Sequence, residues 1–116
     1  MKILVAEDDE SIAEVMTLIL SENGHNVITA SDEKTFLSSV SQNPHLILLD
    51  ISLSGVSGAH LTKRMKKDPT YSAIPIIIVS ANTDTAEIAK KSGADGFLLK
   101  PFDLDQLLEL VTTHTA

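Results

Sequence analysis

MKILVAEDDE, residues 1–10, decides how the rest of the chain is read. Four apolar residues, Ile3 to Ala6, run straight into four acids, Glu7, Asp8, Asp9 and Glu10. An uninterrupted apolar run this short suits a strand buried on both faces, as in a parallel sheet. The acids then stand at the carboxyl end of that strand. Two carboxylates about 5 Å apart repel by roughly 3 kcal/mol at an effective dielectric of about 20. A fold that presses these acids against a sheet edge therefore needs a cation nearby.

The pattern repeats along the chain. Ile12, Val15, Met16, Ile19 and Leu20 recur at helical spacing, and Asn23-Gly24 is a stop signal. Val27 to Ala30 reads as a second strand. Ser31 is expected to cap a helix carrying Phe36, Leu37 and Val40, which ends before Asn43-Pro44. Leu46 to Leu49 is a third buried strand. Gly55 and Gly58 break the chain before a helix with Leu61 and Met65, which ends before Asp68-Pro69. Ile76 to Val79 is the fourth strand. Thr85 to Lys91 is only weakly amphipathic, so its helix is expected to be the least stable. Phe97 to Leu99 is the fifth strand. Leu104, Leu107, Leu108 and Val111 mark a last helix at i, i+3, i+4, i+7 spacing.

Five strand–helix units in succession imply an α/β fold, a doubly wound parallel sheet with helices on both faces. The expected strand order is 2-1-3-4-5, a flavodoxin-like three-layer (βα)5 sandwich. At 116 residues the chain suits one domain, spanning residues 1–116. A net charge of −7 argues against direct nucleic-acid binding and against attachment to an anionic membrane. There is no cysteine, which excludes disulfides and thiolate metal sites. With no long apolar run and no basic leader, a cytoplasmic protein is the expectation.

In an open parallel sheet, ligands bind where the strands end. Strand one releases Glu7, Asp8 and Asp9, strand three Asp50, strand four Ser80 and strand five Lys100, followed by Pro101. Each residue alone has a plain structural reading. Asp9 serves as a helix cap, with Glu10 favouring the positive end of the helix. Glu7, Asp8 and Asp50 read as turn acids, Ser80 as a strand terminus, Lys100 as a surface lysine and Phe97 as core. The histidines at 25, 45, 60 and 114 show no ligand spacing. The combination carries more weight, because each polar residue sits at the same end of a strand. Clustered carboxylates at a sheet edge suit a hard divalent cation such as Mg²⁺. A carboxylate beside Mg²⁺, facing a lysine and a hydroxyl, suits phosphoryl transfer through an aspartyl phosphate.

The chain resembles the receiver domain of bacterial two-component response regulators, with a chemotaxis-regulator-like fold. The resemblance rests on VAEDD (5–9), LLDISLSGVSG (48–58), IVSA (78–81) and GADGFLLKPF (93–102), in that order and spacing. It implies that Asp50 is the phosphoacceptor. Glu7, Asp8 and Asp50, with the backbone carbonyl of Ser52, would hold Mg²⁺ or Mn²⁺, Asp8 being the direct ligand of the acidic pair. Ser80 would contact the phosphoryl group and Lys100 would pair with it. Ser80 and Phe97 would form the switch, and a cis bond is expected before Pro101. The implied partners are a sensor histidine kinase or histidine phosphotransfer protein, and a downstream protein or second copy docking on the face of helix four, strand five and helix five. Such a domain is a signalling element that promotes its own phosphorylation and dephosphorylation, not a turnover enzyme.

Two positions depart from that family, Ser54 where proline is common and Ser57 where aspartate is common. Phe97 stands where tyrosine is commoner. A receiver-like module that binds partners without phosphorylation is the alternative, against which stands the joint presence of Asp8, Asp50, Ser80 and Lys100. A dehalogenase-type phosphatase would need a D-x-D pair after the first strand, and none follows Ala6. A flavodoxin would need a Ser/Thr-rich phosphate loop where four acids stand, and the glycine patterns of dinucleotide sites and P-loops are absent.

Overall fold

The computed structural model describes residues 1–115. Strands β1 (Lys2–Ala6), β2 (Asn26–Ala30), β3 (Leu46–Asp50), β6 (Ile76–Ser80) and β7 (Gly96–Leu99) form one sheet. Its order is β2-β1-β3-β6-β7, all neighbours parallel, which is the expected 2-1-3-4-5. The remaining strands, β4 (Ser52–Leu53) and β5 (Val56–Ser57), pair as a short antiparallel hairpin after β3. Helices α1 (Glu10–Glu22), α2 (Glu33–Val40), α3 (Gly58–Lys67), α4 (Thr85–Ser92) and α5 (Leu104–Thr115) connect and cover the strands.

The apolar runs follow from this layering. In β1, Ile3 and Val5 face a core shared with Met16 and Leu20 of α1 and Leu107 and Val111 of α5. Leu4 and Ala6 face the opposite core, with Phe36 and Val40 of α2 and Leu61 and Met65 of α3. Successive strand residues point to opposite faces, so covering both faces demands an apolar residue at every position. The central strands β3 and β6 are buried throughout, while edge strand β7 leaves Phe97 and Leu99 exposed.

Caps fix where the helices begin. The Ile12 N–H donates to Asp9 Oδ1 at 3.1 Å, so Asp9 caps α1 as its plain reading has it. Ser31 does not cap α2. Asp32 does, its Oδ1 accepting from the Thr35 N–H at 2.8 Å and from the Thr35 hydroxyl at 2.7 Å. Asp32 lies one residue nearer the first turn, and Thr35 closes a capping box with it. Helix α5 runs to Thr115, past the end of its apolar pattern, where Thr113 and Thr115 hydroxyls bond carbonyls one turn back. Helix α4 buries only small residues, Thr85, Ala89 and Ser92, and its N-cap Asp84 makes no side-chain cap bond. That agrees with its weak pattern. Among the described residues, no helix is long and apolar enough to cross a membrane.

Candidate functional site

Register brings the polar residues to one place. Ala6 pairs with Leu49, so the next residue of each strand, Glu7 and Asp50, comes level at the sheet edge. Asp50 itself pairs with Val79, and Ser80 with Leu99, which sets Ser80 beside the start of Lys100. The Lys100 N–H donates to the Ser80 carbonyl at 2.8 Å, and the peptide bond from Lys100 to Pro101 is cis, as expected.

Glu7, Asp8 and Asp50 each offer a carboxylate oxygen within 4.8 Å of the others. Glu7 and Asp50 are buried while Asp8 is exposed, so the cluster opens to solvent on the Asp8 side. The Lys100 ammonium lies 2.7 Å from Glu7 Oε1 and 3.5 Å from Asp50 Oδ2. It meets Glu7 Oε1 as a close ion pair outside hydrogen-bonding geometry, so this buried oxygen has no hydrogen-bond donor. Glu7 Oε2 accepts from the Asp9 N–H at 3.2 Å.

These surroundings shift both groups. The Glu7 carboxyl is pushed from an ordinary 4.5 up to about 7, first by burial and then by the neighbouring Asp50 carboxyl. Contacts with Lys100 and the Asp9 N–H pull it the other way and do not prevail. Burial by itself would lower Lys100, but its close ion pair with Glu7 and the charge of Asp50 hold it above its usual value. The neighbouring acid thus adds to the raising of Glu7, with desolvation the larger cause.

The donor set fits Mg²⁺. It is all oxygen, three carboxylates with an exposed side that leaves room for water and phosphate, and a buried carboxylate oxygen lacks a hydrogen-bond donor. Ser52 begins the hairpin after Asp50, its N–H 3.5 Å from Asp50 Oδ1. Ser80 is 1% exposed, and its hydroxyl accepts from the Asn82 N–H at 2.9 Å. Phe97 is not core. The residue is 39% exposed on the edge strand and lines a surface groove with Leu99 and α5.

Both departures in the loop after Asp50 have structural consequences. Ser57 caps α3, its hydroxyl accepting from the His60 N–H at 3.2 Å, so a serine does the capping an aspartate could do. Ser54, which the sequence did not single out as a site residue, donates its N–H to Asp8 Oδ2 at 2.7 Å. Proline has no such donor, so serine at that position was the signal. Gly58 is fixed by space, since a Cβ there would stand 2.2 Å from the Asp50 carbonyl oxygen.

Known proteins share this fold. Residues 3–112 match the response regulator receiver domain family. The chain is 34% identical over 113 residues to the DNA-binding response regulator MtrA of Mycobacterium tuberculosis (strain CDC 1551 / Oshkosh), covering 95% of this chain and 48% of that protein. It is 34% identical over 110 residues to response regulator ArlR of Staphylococcus saprophyticus, covering 92% of this chain and 49% of ArlR. The chain thus spans about half the length of these relatives. Among solved structures, the receiver domain of NtrX from Brucella abortus superposes with a TM-score of 0.89 at 32% identity, covering 97% of each chain. A response regulator from Chloroflexus aurantiacus superposes with a TM-score of 0.92 at 26% identity, over 98% of this chain and 96% of that one. With the sheet order, the acidic edge and this match across nearly its whole length, the chain belongs to the response regulator receiver domain family of two-component signalling.

Proposed function

We propose that Asp50 of this chain accepts a phosphoryl group from a phosphohistidine on a sensor histidine kinase or histidine phosphotransfer protein. One observation carries this: three carboxylates lie within 4.8 Å of one another, with the Lys100 ammonium against two of them. An Asp50 carboxylate oxygen forms the new P–O bond as the P–N bond to the donor imidazole breaks. The electron pair returns to the ring nitrogen, and the product is an acyl phosphate. Glu7, Asp8, Asp50 and the Ser52 carbonyl would hold Mg²⁺, or Mn²⁺ in its place. When bound, the cation supplies positive charge against the acids and the transferring phosphoryl group. Lys100 pairs with the phosphoryl oxygens and the Ser80 hydroxyl donates to one of them. The whole chain, 1–116, acts as one receiver domain, a signalling element that promotes its own phosphorylation and dephosphorylation.

Output follows from the Ser80 hydroxyl leaving the Asn82 N–H for the phosphoryl group. Phe97 on β7 turns toward the space near the end of β6, and α4, held by small residues, shifts with it. The face of α4, β7 and α5 then meets a downstream protein or a second copy of the chain. DNA binding belongs to the longer relative that is named for it. At a net charge of −7 this domain would make no direct contact with nucleic acid or an anionic membrane. A cytoplasmic location goes with a kinase as donor.

Intact-mass measurement after incubation with Mg²⁺ and acetyl phosphate tests this. One added phosphoryl mass is expected, absent without metal and absent in Asp50→Asn. No added mass in the parent would favour an interaction module that works without phosphorylation.

A further inference from the structure

We propose that Ser54 is a positioning residue for Asp8, holding that carboxylate ready for the divalent cation; this rests on the Mg²⁺ site of the proposed function. Ser54 and Gly55 are the two turn residues of the hairpin in which Leu53 pairs with Val56. Their φ angles are +49° and +83°, both positive as a type I′ turn requires. Proline, fixed near φ −65° and lacking an N–H, fits neither the turn nor the bond to Asp8. The hairpin is anchored below by Leu53, which is fully buried. From the side it is tied by the Ser54 hydroxyl, which donates to the Ser31 carbonyl at 2.6 Å. So held, the Ser54 N–H meets Asp8 Oδ2 at 2.7 Å, across 46 residues of sequence.

The bond occupies one oxygen of Asp8. Among the described residues, Asp8 Oδ1 accepts no hydrogen bond, so it is the oxygen left for a cation. Asp8 is exposed, and without the N–H its side chain would be free to rotate in solvent. A donor that fixes a ligand carboxylate without touching the metal raises affinity by removing that freedom. Ser54 therefore links the loop after the phosphoacceptor to the acidic pair after β1.

The test combines calorimetric Mg²⁺ titration with amide NMR of the full chain. In the parent, the Ser54 amide proton is expected downfield, to remain so at saturating Mg²⁺, and to move upfield in Asp8→Ala. Ser54→Pro should bind Mg²⁺ about 10-fold more weakly or worse. Ser54→Gly keeps the N–H and tolerates the positive φ but loses the hydroxyl tie, so a smaller loss is expected. Parent-like Mg²⁺ affinity in Ser54→Pro overturns the proposal. So does a Ser54 amide that moves upfield as Mg²⁺ saturates, since the bond would then compete with the cation; this readout decides alone if Ser54→Pro does not fold. A parent that binds no Mg²⁺ overturns the metal site itself, whereas parent binding with either of the preceding outcomes overturns only the role of Ser54.

Discussion

The Lys100 ammonium stands 2.7 Å from Glu7 Oε1 and 3.5 Å from Asp50 Oδ2, so the lysine leans on Glu7 more closely than on Asp50. Part of the repulsion raised by the EDD stretch is relieved by this cation. Part is relieved by a proton, because Glu7 titrates at about 7. A divalent cation would take over both roles.

The raised Glu7 sets a pH dependence. Below about pH 4.5, Glu7 is protonated in the folded and unfolded chain alike. Between 4.5 and about 7, the unfolded chain gives up the proton that the folded chain keeps, so this group costs stability as pH rises. Above that range both states are ionised and the loss is complete. Thermal midpoints in EDTA should therefore fall across this window in the parent, and fall less in Glu7→Gln. Equal slopes in the two proteins would contradict a buried, raised Glu7.

Saturating Mg²⁺ should raise the thermal midpoint by mass action, about 2.7 kcal/mol of stabilisation at 100 times the Kd. The gain should vanish in Asp8→Ala. Lys100→Ala should bind Mg²⁺ at least as tightly as the parent, because the lysine competes with the cation for Glu7. It should still fail to accumulate phosphoryl mass normally. Calorimetric titration read beside intact mass separates the two effects.

Gly58→Ala places a methyl group against the Asp50 carbonyl, where 2.2 Å is far inside contact distance, and the obstacle is backbone. A loss on the order of 3 kcal/mol is expected in urea unfolding, with slower phosphorylation because the end of β3 must move. Parent-like stability would show that the loop can yield.

Beryllofluoride, standing in for the phosphoryl group at Asp50, should shift backbone NMR signals beyond the acidic edge. The changes should reach residues 83 to 98, which include α4 and Phe97. Ser80→Ala should confine them to the neighbourhood of Glu7, Asp50 and Lys100. Full switching in that variant would remove Ser80 from the relay.

The strand order and the meeting of Glu7, Asp50, Ser80 and Lys100 at one edge were legible in the sequence. Apolar runs covered on both faces force parallel strands, and parallel strands put their polar exits side by side. Helix positions were equally legible, with errors at the ends. Ser31 lost the α2 cap to Asp32, and α5 outran its apolar pattern, because side-chain bonds to nearby backbone decide such ends and periodicity does not record them. Only tertiary structure decided that Lys100 turns to Glu7 before Asp50, that Phe97 lies exposed, and that Ser54 reaches Asp8. Those contacts join side chains and turns separated by tens of residues. Their geometry depends on register and on the sign of a single φ angle, quantities that a residue's identity biases and only the packed chain fixes.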